Sequence, residues 1–217
     1  MHVFDYLVGC VSGLFRLHNY SPFEKVYASL LFIAGLSLRD VSRRYCLTHA
    51  SRESVREWAH RLMSIFKLGR KDRRLVAVDE TVEKRFGDRA YVWSAIDVDT
   101  DEIIAVYASK DRSIPNALTF LRRVLEVCEG KPVIVVDRGP WYQWALERLG
   151  IEYFHETSGE RNRIERWFRE LKDKTRRIYN NIKTVKSIEE IATAIALIHN
   201  TAHGIMGFGC SCFLPRL

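Results

Sequence analysis

The chain has 217 residues, of which 47% are hydrophobic and 28% charged, an ordinary balance for a globular protein with its own core. It carries 34 Lys and Arg against 27 Asp and Glu, a formal net charge of +7, which favours polyanionic partners, nucleic acid before an anionic membrane surface. Five scattered cysteines with no CxxC pair argue against a disulfide framework and against structural zinc.

The start, MHVFDYLVGC, has no basic segment before its apolar residues, so no secretory leader is expected. The longest apolar run, YASLLFIAGL (27–36), falls short of the roughly 20 residues a membrane helix needs. The expectation is a cytoplasmic protein with no membrane partner.

Residues 1–68 read as helical. Within LSLRDVSRRYCLTHASRESVREWAHRL (36–62), Ser37 with Asp40 marks one helix start, and Leu38, Val41 and Tyr45 share a face. CLTH breaks the period. Ser51 with Glu53 and Ser54 opens a second helix, with Val55, Trp58 and Leu62 on one face and Arg52, Arg56 and Arg61 outside. Two helices around a short turn, the second carrying arginines, fit a DNA-reading helix-turn-helix, with Arg52 and Arg56 as candidate DNA contacts. The same pattern fits an ordinary α-hairpin. GRKDRR (69–74) reads as a basic link to a second domain, 75–205, followed by a tail, 206–217.

In that second domain LVAVDET (75–81), AYVWSAIDV (90–98) and EIIAVYAS (102–109) are strand-like runs, and DVDTD between the last two is a turn. NALTFLRRVLEVCE (116–129) is amphipathic. KPVIVVDRG (131–139) is continuously apolar, the pattern of a strand buried on both faces. PWYQWALERLG (140–150) begins with Pro and ends with Gly, a helix signature. IEYFHE (151–156) is a last strand. Two helices close the domain, one through RNRIERWFRELKDKTRR (161–177) and one at 187–203. The order β-β-β-α-β-α-β-α predicts an α/β ribonuclease-H-like fold: a mixed five-stranded sheet flanked by helices, behind an all-α N-terminal domain. The crossover should lay 133–137 beside 75–79.

Asp79 and Asp137 each close one of those two strands, the end where such sheets gather ligand groups. Two carboxylates so close repel unless a cation joins them. Mg²⁺ or Mn²⁺ suits such oxygen donors. A third carboxylate would complete a site for two ions about 3.5–4 Å apart, the arrangement that clamps attacking and leaving oxygens at phosphorus. Glu165 stands where it could supply that carboxylate. On its helix, Ile164, Phe168, Leu171 and Ile178 form an apolar stripe, and Glu165, Arg169, Lys172 and Arg176 form a second line beside it. Taken singly, Asp79 reads as a strand-end residue, Asp137 as a helix cap and Glu165 as an ion-pair partner of Arg161 or Arg169. Their matched positions are what point to a metal site. Glu80 should face away from Asp79, and Asp97 and Asp101 read as turn acids.

VDET with Asp79, VVDRGPWYQWALERLG with Asp137, and ERNRIERWFRELKDKTRR with Glu165 and Lys172 resemble the DDE transposases of bacterial and archaeal insertion sequences. The likeness runs from about residue 21 to 203 and is nearest to the insertion-sequence-six family, particularly its archaeal members. SRESVREW resembles the family's recognition helix. The resemblance implies metal-dependent cleavage and joining of double-stranded DNA at element ends. Asp79, Asp137 and Glu165 would hold the two ions. Lys172 would position DNA, with Arg169 and Arg176 alongside it on the same basic line. It also implies a homodimer or larger assembly working on DNA at the nucleoid. Two departures stand out. Only 27 residues separate Asp137 from Glu165, fewer than the wider family usually has. The tail CSCFLPRL has no familiar pattern. The competing readings are an inactive or truncated copy that only binds DNA, and a ribonuclease-H-type nuclease without strand transfer.

Overall fold

A computed structural model describes residues 3–11, 19–64, 68–85, 88–156, 159, 161–177 and 184–202. Ile178, Cys210, Cys212 and the 206–217 tail lie outside this set.

Three strands, β2 (Leu75–Arg85), β3 (Asp88–Asp97) and β4 (Ile103–Ser109), form an antiparallel meander. Helix α4 (Ile114–Glu126) then leads to β6 (Val133–Val136), and α5 (Pro140–Leu149) leads to β7 (Tyr153–His155). Both β6 and β7 run parallel to β2, and the sheet order is β4-β3-β2-β6-β7. This is the mixed five-stranded ribonuclease-H-like sheet that the element order predicts. β6 can be wholly apolar because helices cover both faces of the sheet at that point.

Strand alternation divides the core in two. Ala77, Val92, Ile96 and Val135 face α6 (Arg161–Arg177) and α7 (Val185–Ala202). Val76, Val78, Trp93, Ile134 and Val136 face α4 and α5. The first cluster continues without a break into the N-terminal helices α1 (Val3–Val11), α2 (Pro22–Ile33) and α3 (Arg52–Ser64), through Val26, Phe32, Val55 and Leu62. The N-terminal helices therefore share the core of the sheet layer. The His60 Nδ1 of α3 and Glu190 of α7 meet across that boundary at 3.2 Å.

Both expected helix starts around the turn are present. Ser37 and Asp40 cap each other reciprocally: the Ser37 hydroxyl and N–H donate to the Asp40 carboxylate, and the Asp40 N–H donates back to Ser37 Oγ at 3.1 Å. The Ser54 N–H donates to Ser51 Oγ. The first helix of the pair differs from expectation. It is short, and Asp40–Arg44 winds as a π-helix, with the Tyr45 N–H reaching back to the Asp40 carbonyl.

The 69–74 segment expected as a link is tied into the sheet layer. β1 (Lys71–Asp72) pairs with β5 (Cys128–Glu129). Arg73 is buried, and its Nη1 bonds Asp97 and Glu102 at 2.8 Å each. Asp97 is thus both a turn residue, accepting from the Asp99 N–H, and half of a buried ion pair.

Helix α7 covers the outer edge of β4. Asn200, fully buried, accepts from the Ile103 N–H at 2.8 Å and donates to the Ile103 carbonyl at 2.9 Å. Glu189 accepts from the Ala108 N–H. These side chains stand in for a missing neighbour strand and blunt the edge.

Glu170 on α6 is held by His199 at 2.9 Å and Lys174 at 2.6 Å. These hydrogen bonds, that from His199 first, pull its pKa from 4.5 down to about 2. A depressed carboxylate contributes stability above its unfolded pKa and loses it as pH falls towards the folded value. Unscreened, the shift is worth about 3 kcal/mol. With the side chain a third exposed, screening leaves about 1–2 kcal/mol. Glu170→Gln should therefore unfold at lower denaturant than the parent at neutral pH. The gap should close as pH drops from 4.5 towards 2. A gap of constant size over that range would overturn the assignment.

Candidate active site

Asp79 is 8% exposed and is the fifth of eleven residues of β2, not its last as expected, because β2 continues to Arg85 in its pairing with β3. Its alternation with Ala77 and with Glu83, which receives the Thr175 hydroxyl of α6, puts it on the α6 face. The β2–β6 register pairs Leu75 with Val133 and Ala77 with Val135. Two residues beyond that last pair come Asp79, within β2, and Asp137, one residue past the end of β6, side by side on that same face. Asp137 is half-buried. Its Oδ1 accepts from the Gly139 N–H at 2.8 Å, and its carbonyl lies 2.9 Å from His155 Nδ1 on β7.

Gly139 cannot be larger without movement. A Cβ there would stand 2.8 Å from Asp137 Oδ1 and 2.8 Å from the Trp141 ring. The glycine thus seats the carboxylate against the start of α5.

Helix α6 packs on β2 and β3, and α7 packs on β3 and β4. Ile164, Trp167, Phe168 and Leu171 are its buried face. Trp167 is an addition to the stripe read from the sequence. The line of Glu165, Arg169, Lys172 and Arg176 is exposed. Glu165 makes no ion pair with Arg169. Among the described residues, no three His, Cys, Asp or Glu side chains come together closely enough to hold a metal ion. Asp79 and Asp137 are brought together. Glu165 is brought to the correct side of the sheet but does not close a three-carboxylate set with them. The aspartate pair fits a hard divalent cation in donor type and placement.

Glu80 faces the opposite way, as alternation predicts. Its carboxylate is almost wholly buried, takes the Tyr142 hydroxyl at 2.9 Å and lies 3.4 Å from Arg112 Nη1. Burial pushes its pKa up, opposed by the Tyr142 bond and reinforced by the charges of Asp79 and Asp137. Burial and then Glu80 raise the Tyr142 phenol well above its ordinary value. Arg112 is flanked by the rings of Trp141 and Tyr91, at 4.7 and 5.0 Å. The sequence shows none of this. Its only trace is the aromatic spacing of PWYQW.

In the N-terminal region a groove of about 700 Å³ runs between the Asp40–Arg44 turn and the start of α3, lined by Arg39, Arg43, His49, Ser51 and Arg52 among others. Among the described residues, the guanidinium groups of Arg39, Arg43 and Arg52 have no ion-pair partner. Arg56, expected as a DNA contact beside Arg52, is half-exposed and bonds Glu53 one turn before it.

A family model described as the DDE domain, of the IS240 transposase type, matches residues 74–204. The chain belongs to the DDE transposase family. It is 38% identical over 185 residues to the uncharacterized protein MJ0017 of Methanocaldococcus jannaschii, covering 84% of this chain and 86% of that one. It is 32% identical over 71 residues to the uncharacterized protein aq_aa24 of Aquifex aeolicus, covering 33% of this chain and 59% of that one. Two solved structures are also similar, each at 15% identity. One is a chain of the simian T-cell lymphotropic virus intasome in complex with PP2A regulatory subunit B56 gamma, with a TM-score of 0.47 over 79% of this DDE transposase chain and 65% of that one. The other is the HTLV-2 integrase catalytic core domain in complex with magnesium, in dimeric form, with a TM-score of 0.42 over 56% and 84%. No helix among the described residues of the DDE transposase chain is long and apolar enough to cross a membrane.

Proposed function

We propose that this DDE transposase cleaves double-stranded DNA at insertion-sequence ends and joins the freed 3′-hydroxyl to target DNA. The observation that carries the reading is the placement of Asp79 and Asp137 side by side just past the parallel pairing of β2 with β6, on the sheet face that α6 covers. Asp79 and Asp137 would hold Mg²⁺ or Mn²⁺. Glu165 would complete the site by swinging from its exposed position on α6 when DNA is bound. When bound, a pair of divalent ions supplies charge stabilisation to the attacking and leaving oxygens at phosphorus. Lys172, Arg169 and Arg176, one or two turns along the same line, would hold the phosphate backbone by charge and so keep the scissile bond against the carboxylates. The protein would act as a homodimer or larger assembly, in the cytoplasm at the nucleoid.

The direct test is strand transfer by the purified chain on labelled DNA bearing the element's own end, with Mg²⁺ or Mn²⁺. Joined products that require metal support the proposal. Cleavage without joining would favour a nuclease. Binding without cleavage would favour an inactive copy.

The N-terminal helix pair would read the element end, with phosphates seated in the groove of Arg39, Arg43 and Arg52. Because Arg56 shares its charge with Glu53, it contributes less. Replacing Arg39 and Arg43 together by Ala should flatten the slope of log affinity against log salt by about 2, since each lost phosphate contact removes nearly one released counterion. An unchanged slope in an anisotropy titration would place the DNA elsewhere.

A further inference from the structure

The two aspartates share one face of a sheet whose other face carries a closed polar circuit. Glu80 follows Asp79 directly and points through the sheet to the α5 side. There it binds Tyr142, which is fully buried against Trp93 at 5.6 Å between ring centroids. The Tyr142 N–H donates to the Gly139 carbonyl at 3.1 Å. Gly139 in turn donates to Asp137 and is wedged between that carboxylate and the Trp141 ring. Arg112, from the loop before α4, closes the circuit by lying on Trp141 while reaching Glu80. The links from Glu80 to the start of α5 lie on the face opposite α6, and only the last, from the Gly139 N–H to Asp137, reaches the aspartate face.

We propose that Glu80 is a positioning residue for Asp137, acting through Tyr142 and Arg112 from the face of the sheet opposite the aspartates. This rests on the proposed role of Asp137. A short turn between a strand and a helix has few ways to hold one carboxylate rotamer. The Gly139 N–H holds one oxygen of Asp137, and the turn itself is held from behind by α5. Anchoring Tyr142 to Glu80 fixes the first turn of α5 relative to β2. That sets the separation of Asp137 from Asp79, the quantity a shared cation reads. Partners behind the ligands of a metal commonly change affinity or rate by about 10- to 100-fold.

The test uses the full chain and three variants, Tyr142→Phe, Glu80→Ala and Glu80→Gln, beside Asp137→Asn. Four quantities are measured: Mn²⁺ affinity without DNA, from the spin-resonance signal of the free ion; DNA affinity; the melting temperature; and the cleavage rate at saturating DNA. Tyr142→Phe and Glu80→Ala should each weaken Mn²⁺ binding and slow cleavage by about 10- to 100-fold while DNA affinity stays put. Their combination should add little, because both open one circuit. Glu80→Gln keeps an acceptor for the Tyr142 hydroxyl and should recover much of the loss. Mn²⁺ affinity and rate within twofold of the parent in both Tyr142→Phe and Glu80→Ala would overturn the proposal. So would losses that follow the melting temperature and appear equally in DNA affinity, since that is a structural role only. If Asp137→Asn itself leaves Mn²⁺ binding unchanged, the reading of the metal site fails, independently of the circuit behind it.

Discussion

Asp137→Asn is expected to lower metal-dependent DNA cleavage by about a thousandfold or more, with DNA affinity and melting temperature close to those of the parent. Several kcal/mol of charge stabilisation at phosphorus are at stake, and each 1.4 kcal/mol is about tenfold in rate. An amide matches the carboxylate in shape and still accepts from the Gly139 N–H through its oxygen. The turn that carries it should therefore stay in place. What disappears is one negative charge of a pair that lies in adjacent strands on one face. Asp79→Asn should act in the same way, and the two together should be little worse than either, because they serve one site. Glu165→Gln separates two possibilities. A loss comparable to that of Asp137→Asn would mean that Glu165 moves into the site when DNA and metal bind. Cleavage that survives would remove Glu165 from the machinery and leave its line of α6 as a DNA-holding surface. The assay is product formation on labelled element-end DNA, with Mg²⁺ varied at saturating DNA.

Asn200→Leu is expected to be the most damaging substitution for stability among those considered. The Asn200 amide satisfies both backbone groups of Ile103 in a fully buried place. Leucine has about the same size and no polar atoms. The Ile103 N–H and carbonyl would then be buried without partners, at about 1–3 kcal/mol each. A loss of about 2–5 kcal/mol follows, enough to bring a domain of ordinary stability close to unfolding. Urea unfolding should show the midpoint falling at unchanged slope. A shift worth less than 1 kcal/mol would mean that water or a moved strand edge satisfies Ile103. Asn200→Asp is a useful companion. It keeps an acceptor for the N–H, loses the donor to the carbonyl, and adds a buried charge.

Much of this molecule can be read along the chain. The alternation in 75–109 and the unbroken apolar run at 133–136 are local patterns, and local patterns choose strands. The Pro140 start and Gly150 end of α5 are local too, with Gly150 in the left-handed conformation at the helix end. The acidic residue after each of two apolar strand runs is visible too, although β2 continues past Asp79 to Arg85. The prediction that Glu80 faces away from Asp79 needs nothing more than the period of a strand. Elsewhere local pattern misled. GRKDRR looks like a solvated link because five of its six residues are charged, yet Arg73 is buried. Its partners, Asp97 and Glu102, come from a turn more than twenty residues away, and no window of sequence contains both ends of that bond.

By itself the sequence determined the order of elements, the stripes that face the core, the basic character of α6 and the family to which the chain belongs. These depend on residue type and spacing within a few turns or one strand. Tertiary structure decided which residues meet. The register of β2 on β6 sets Asp79 beside Asp137. The packing of α6 on β2 and β3 leaves Glu165 exposed, outside a closed ligand set. The docking of α5 joins Tyr142 to Glu80, and that of α7 joins Asn200 to Ile103. Each of these is a contact between segments far apart in the chain. Its geometry follows from how whole faces bury against one another, which is a property of the packed molecule and not of any stretch within it.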